Sequence, residues 1–186
     1  MGKHDALHPI LEQCLFPTAG PLHCAVSGGA DSSALLILAS MTGQQVTAHH
    51  VDHGLRPHGS AERDRVQELA EKVKAGFNAV ALSLEDGPNL EARARSARFE
   101  ALPKEVLTGH TADDQAETII LHLLRGGGLD ALAGMGDDRH PIIRLRRADT
   151  EFVCRSYGWE PIEDPTNNDP RFRRNRVRHE ILPLMN

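Results

Sequence analysis

Three groups of residues in this 186-residue chain have the types and spacing to do chemistry. The first is the run Ala25-Val26-Ser27-Gly28-Gly29-Ala30-Asp31-Ser32-Ser33-Ala34-Leu35-Leu36, a glycine turn leading from an apolar stretch into helix formers. Such a turn aims backbone N–H groups and the positive end of a helix dipole at one point, which makes an anion site. It has no lysine at Gly-x-x-x-x-Gly-Lys-[Ser/Thr] spacing and no Gly-x-Gly-x-x-Gly. Ser27 precedes its glycines rather than splitting them as a serine hydrolase elbow requires. A bare Gly-Gly pair would read as a tight turn capped by Asp31. The full Ser-Gly-Gly-x-Asp-Ser run after a strand is more specific, and it puts a carboxylate where phosphate charge would arrive.

The second group is His110, Asp113, Asp114 and Glu117, at i, i+3, i+4 and i+7. If a helix begins near Thr111, they share one face at its N-terminal end. Acids favour a helix's first turn in any case, which accounts for one or two of them. Like charges this close repel unless a cation joins them. The third group is Arg171, Arg173, Arg174, Arg176 and Arg178 around Phe172, with Arg144, Arg146 and Arg147 upstream. A guanidinium matches phosphate in two-pronged fashion, so the cluster suits a polyanion; a solvated helix face is the competing reading.

The charge distribution frames these groups. The net charge is -5, but residues 1–138 hold eleven basic against nineteen acidic residues, whereas 139–186 hold ten against seven, and all ten are arginines. Cys14, Cys24 and Cys154 are isolated, which suits a reducing compartment and argues against a disulfide framework, a zinc knuckle or an iron-sulfur site. His50 and His53 lack a third partner at metal-ligand spacing. No apolar run reaches the about 18 residues of a membrane span, and the N-terminus reads as no signal peptide, so a cytoplasmic chain is expected.

The elements that must position these residues alternate. The pattern predicts strands over residues 22–26, 45–51, 79–84 and 105–108. It predicts helices over residues 32–41, from Ser60 through about Lys74, over 89–102 behind Asn89, and over 111–125 before Gly126. Beyond Asp137 the alternation fades into helices over 149–157 and 175–184, separated by the turn-rich 163–170. Strands alternating with helices imply an α/β, Rossmann-like parallel sheet with helices on both faces. Ligands then bind beyond the carboxyl ends of the strands, where each group falls. The chain reads as one domain, with an acidic nucleotide-binding core over 1–138 and an arginine-rich segment, 139–186, completing the active site.

The loop matches the pyrophosphate loop (PP-loop) of the N-type ATP pyrophosphatases, the adenine nucleotide α-hydrolase-like fold. Four further stretches occur in the order of one such family: His50-Val51-Asp52-His53-Gly54-Leu55-Arg56; Glu91 to Phe99, with Arg93, Arg95 and Arg98; Thr108-Gly109-His110-Thr111-Ala112-Asp113-Asp114-Gln115-Ala116-Glu117-Thr118; and Asp164-Pro165-Thr166-Asn167 with Arg174-Asn175-Arg176-Val177-Arg178. Over about residues 20–182 the chain resembles the tRNA(Ile)-lysidine synthases.

That resemblance implies that ATP activates the wobble cytidine of an isoleucine tRNA and that L-lysine then displaces AMP. Ser27, Gly28, Gly29, Ala30, Asp31, Ser32 and Gly109 would hold the ATP phosphates. Val51 and Asp52 would lie at the nucleoside end, and Arg98 or Arg176 would approach the α phosphate. Asp31 with Asp113 or Asp114 would share Mg2+. Asp114 and Glu117 would bind lysine, with His110 as proton acceptor. Arg171, Arg173, Arg174 and Arg178 would contact phosphates of the anticodon loop, with Phe172 stacking on a base.

The departures from the family pattern are Phe99 for tyrosine, Thr166 for serine, and His140 for the arginine before Pro141-Ile142-Ile143. The family's C-terminal tRNA-binding domains are expected to be absent, and a homodimer would supply a further tRNA surface. Two rival readings stand beside this one. A tRNA thiolase on the same loop would use paired cysteines, which this chain lacks. A non-catalytic nucleotide- or RNA-binding module would show an eroded loop or eroded acids, and both are intact.

Overall fold

The computed structural model describes residues 5–52, 59–82, 101–128, 132–136, 138–164 and 169–185. Strands β1 (Leu22–Ala25), β2 (Val46–Asp52) and β3 (Gly76–Ala81) form a parallel sheet in that order, with Leu22 opposite Val46 and Thr47 opposite Gly76. Period-two alternation sends Leu22, Cys24, Val46 and Ala48 to one face, where they join the main core. Ala25 and Val51, on the other face, pack in a smaller cluster with Leu102 and Val106.

A short helix, α1 (His8–Leu11), precedes the sheet, and helices α2 (Ala30–Ser40) and α3 (Gly59–Lys72) follow β1 and β2. In α2 the residues Ala34 to Ala39 are fully buried, because the sheet lies on one side of it and α5 (Arg147–Tyr157) on the other. A helix apolar on every side can be stable only in such an interior position. Val66, Leu69, Ala70 and Val73 of α3 join the same core, as do Ile142, Leu145, Val153 and Trp159.

Helix α4 (Ala112–Leu123) is capped by a box in which Thr111 and Asp114 exchange hydrogen bonds. Helix α6 (Arg173–Arg176) runs directly into a π-helical turn, Val177–Ile181, and a 3-10 turn, Leu182–Met185.

The parallel α/β class is the expected one, and the differences lie at element boundaries. The predicted fourth strand, 105–108, reduces to one parallel bridge, Leu107 with Cys24: the Leu107 amide donates to the His23 carbonyl at 2.7 Å and its carbonyl accepts from the Ala25 amide at 2.9 Å, while the Thr108 amide bonds to the Arg139 carbonyl at 2.9 Å. Strand β3 begins at Gly76 rather than residue 79. Its pairing with β2 overrides the low strand preference of Gly76 and Asn78. Helices α2 and α5 each begin two residues earlier than predicted, and the C-terminal helical run changes pitch where a uniform helix was expected. The predicted helix over 89–102, with Arg98, lies outside the described residues except for its last two positions, as do His53 to Arg56 and Pro165 to Asn167.

Candidate active site

The chain leaves β1 through Val26, whose amide donates to the His49 carbonyl of β2 at 2.9 Å, and turns at Ser27-Gly28-Gly29 into α2. Gly28 sits at φ +97°, a conformation that costs a side chain strain. Gly29 is the N-cap of α2 and offers no capping side chain, so the N–H groups of the first turn, from Ala30 on, are left for an outside acceptor. Two hydroxyls frame that turn. Ser32 Oγ accepts from the Ser27 amide at 3.2 Å, donates to the Gly29 carbonyl at 3.1 Å and lies 3.2 Å from Ser27 Oγ. Gly109 packs directly on this turn: a Cβ there would lie 2.8 Å from the Asp31 carbonyl carbon and oxygen and 2.9 Å from the Ser32 nitrogen.

Asp31, in the first turn of α2, accepts from Thr150 Oγ1 at 2.6 Å and from Arg147 Nη2 at 3.3 Å, both at the start of α5. Burial pushes its carboxyl above the ordinary value, the Thr150 hydrogen bond and the Arg147 charge pull it down, the Asp114 charge raises it and the Arg178 charge lowers it. These influences place Asp31, Asp114, Arg147 and Arg178 in one electrostatic neighbourhood.

Adjacent acids of α4 diverge, as a rise of one residue turns the helix by about 100°. Asp113 Oδ2 accepts from the Arg147 amide at 2.8 Å and so caps α5. Asp114 and Glu117 point instead at the C-terminal segment. Glu117 has no exposed surface, and it accepts from Arg174 Nε at 2.6 Å, Arg178 Nη2 at 3.0 Å and Arg178 Nε at 2.5 Å. Asp114 accepts from Arg174 Nη2 at 3.0 Å and from the Thr111 amide and hydroxyl at 2.9 and 3.0 Å.

His110 stands before α4 with its Nδ1 2.7 Å from Thr108 Oγ1, and His140 Nδ1 lies 2.7 Å from the same hydroxyl and 3.2 Å from His110 Nδ1. Val51 and Asp52 end β2 at the carboxyl edge of the sheet, half-buried.

The fold therefore gathers Asp31, Asp114, Glu117, Arg174 and Arg178 around the loop. Arg176 faces Glu180 at 3.4 Å on the exposed side, Arg171 pairs with Asp169, and Arg173 and Phe172 are exposed. Thr150, Thr108 and His140 carry no signal in the sequence that assigns them to this place, and Arg147 stands there only as part of a basic stretch. Thr150 meets Asp31 across 119 residues of chain, a separation for which no local motif exists. His140 was visible as a departure from a familiar pattern, without a role.

The three cysteines are free thiols, Cys24 and Cys154 buried and Cys14 half-buried. Burial pushes each thiol up to about 12, Cys154 with an added push from Asp31. Among the described residues no group of three or more His, Cys, Asp or Glu gathers as a metal cage, and no helix is long and apolar enough to cross a membrane.

A parallel sheet with a lysine-free glycine loop at its carboxyl edge and an aspartate in the first helical turn defines an ATP-using domain of the pyrophosphate-loop class. The sequence model of the PP-loop domain matches residues 5–185, and the chain belongs to that family. It is similar to a tRNA(Ile)-lysidine synthase of Cutibacterium acnes, at 40% identity over 176 residues covering 86% of this chain and 56% of the relative. It is 42% identical over 182 residues to one from Nocardia farcinica, covering 91% and 57%. The chain thus spans about half the length of the curated relatives it matches. Among solved structures, a U34-tRNA thiolase from Methanococcus maripaludis superposes with a TM-score of 0.70 over 98% of this chain and 80% of that one. At 13% identity this is a likeness of fold.

Proposed function

We propose that the chain carries the catalytic site of a tRNA(Ile)-lysidine synthase, joining L-lysine to the wobble cytidine with conversion of ATP to AMP and pyrophosphate. The observation that carries this reading is the convergence of Asp114 and Glu117 on the same neighbourhood as Asp31 and the glycine loop. A carboxylate pair beside a pyrophosphate site is what a cationic amine that must meet an activated nucleotide requires. The similarity to lysidine synthases over most of this chain supports the same reading.

In this reading the amides of Gly28, Gly29 and Ala30 and the hydroxyls of Ser27 and Ser32 hold the pyrophosphate as it leaves, and Gly109 lets the segment after Leu107 pack directly on the turn. Val51 and Asp52 line the nucleoside end. Arg98 or Arg176 approaches the α phosphate.

The donor set fits Mg2+: the Asp31 carboxylate stands in the first turn of α2 beside the glycine loop, raised chiefly by burial and further by Asp114, and Mg2+ needs only one or two carboxylates beside substrate phosphates. Asp31 would hold it together with Asp113 or Asp114; Asp113 has one oxygen on the Arg147 amide, and Asp114 shares its oxygens with Thr111 and Arg174. When bound it would neutralise charge on the leaving pyrophosphate.

The cytosine carbonyl oxygen attacks the α phosphorus and pyrophosphate departs. Lysine, held through Asp114 and Glu117, gives up an ε-ammonium proton, His110 being the acceptor within the site, and its amine nitrogen then bonds to the base carbon as AMP leaves. The Thr108 hydroxyl orients His110. Residues 139–186 complete this site within the same domain, and Arg171, Arg173 and Phe172 meet the anticodon loop, whose unpaired bases leave their stack at little cost.

The test is incubation of the chain with labelled lysine, ATP and isoleucine tRNA. Label entering RNA only with ATP, with one AMP formed per lysine transferred, supports the reading. Tight ATP binding without transfer would make this a nucleotide-binding module instead.

A further inference from the structure

The two carboxylates assigned to the lysine ammonium are already fully engaged. Glu117 Oε1 accepts from Arg178 and Oε2 from both Arg174 and Arg178, while Asp114 Oδ1 accepts from Arg174 and Oδ2 from the Thr111 amide and hydroxyl. Two acids meet two guanidinium groups, every carboxylate oxygen has a donor, and the charge balances. An ammonium entering this place adds a third cation to a largely dehydrated pair of acids, so it must displace an arginine.

The two arginines are not held alike. The Arg178 side chain is 16% exposed, whereas that of Arg174 is 42% exposed and can swing toward water without leaving a hole in the core. Arg174 also lies among the exposed Arg171, Arg173 and Arg176, of which Arg171 is paired with Asp169 and Arg176 with Glu180 at the surface. The planar fork that grips a carboxylate grips a phosphate in the same way.

We propose that Arg174 couples the RNA site to the lysine site. In the free protein it occupies the place of the lysine ammonium on Asp114 and Glu117, and a phosphate of bound RNA draws it out and opens that place. Arg178 stays and keeps Glu117 paired. RNA therefore binds before lysine. This rests on the reading of Asp114 and Glu117 as lysine-binding acids.

Calorimetry of lysine binding to the 186-residue chain and to Arg174→Gln, each with a non-hydrolysable ATP analogue, tests it with and without an anticodon stem-loop RNA bearing a wobble cytidine. For the unaltered chain RNA tightens lysine binding by about tenfold, the worth of one charged hydrogen-bonding partner. Arg174→Gln binds lysine without RNA as tightly as the unaltered chain does with it, and RNA adds less than about twofold because the coupling is gone.

Equal lysine affinity of the two chains without RNA, or no effect of RNA on the unaltered chain, overturns the coupling while leaving the lysine site standing. Failure of both chains to bind lysine with RNA present overturns the assignment of Asp114 and Glu117 as well. If thermal unfolding shows that Arg174→Gln does not fold, Arg174→Lys, which keeps the cation and loses the fork, serves in its place. Tighter lysine binding without RNA then supports the coupling, and unchanged binding overturns it.

Discussion

Asp31 is placed where its charge costs the fold something. Burial and the neighbouring Asp114 raise its carboxyl above the ordinary 3.8, and Thr150 and Arg147 recover only part of that. A raised carboxyl binds its proton more readily folded than unfolded, so the contribution of Asp31 to stability falls as pH rises through the window above 3.8. Asp31→Asn removes the repelled charge and keeps the acceptor for Thr150. We expect a melting temperature at neutral pH equal to or above that of the unaltered chain, together with loss of ATP-dependent pyrophosphate release by at least about 100-fold, the scale of losing one preorganised electrostatic group. A melting temperature several degrees lower would show that the Arg147 and Thr150 contacts outweigh the repulsion. At this scale the roles of Asp113 and Asp114, indistinguishable in sequence, separate cleanly: one caps α5, the other faces the site.

At the scale of elements, the loop works because three backbones meet there. The turn of β1 into α2, the approach of Gly109 and the strap at Ile162, whose amide donates to the Gly28 carbonyl at 2.9 Å, fix the positions of the amides. Gly109→Ala sets a Cβ against the backbone of Asp31 and Ser32, neither of which can step aside as a flexible side-chain end would. The expected cost is about 1–3 kcal/mol of stability from overpacking, with ATP affinity falling as the α2 amides shift, measured by denaturant unfolding and nucleotide titration. Unchanged ATP affinity would mean that the turn tolerates the displacement. The glycine loop and the acidic helix were legible in sequence because each is local: a few consecutive residues specify a turn, a cap and a face. The fourth strand was not: Leu107 alone bridges β1, and the amides on either side of it bond to the carbonyls of Pro103 and Arg139, contacts that a short apolar run does not announce.

Across the whole molecule, charge is divided. An acidic body carries the glycine loop, and the arginine-rich segment lies against it, with Arg147 paired to Asp31, Arg174 and Arg178 paired to Asp114 and Glu117, and Arg171, Arg173 and Arg176 exposed. Replacing Arg171 and Arg173 by alanine should weaken binding of an anticodon stem-loop about uniformly across loop sequences. It should also reduce the slope of log affinity against log salt by about one to two, as expected for two lost single-strand phosphate contacts. An unchanged slope would place the RNA elsewhere.

The sequence by itself determined the parallel α/β class, the glycine turn with its aspartate, the acids at the start of α4 and the arginine-rich end, because each follows from periodicity, turn chemistry or charge over neighbouring residues. Only the tertiary structure decided what those charges do to one another. Thr150 and Arg147 were revealed as the partners of Asp31, and Arg174 and Arg178 as the partners of the acids of α4, by contacts that span 57 to 119 residues. A guanidinium reads the same in a sequence whether it faces a phosphate or a carboxylate. The packing of one segment on another chooses between them.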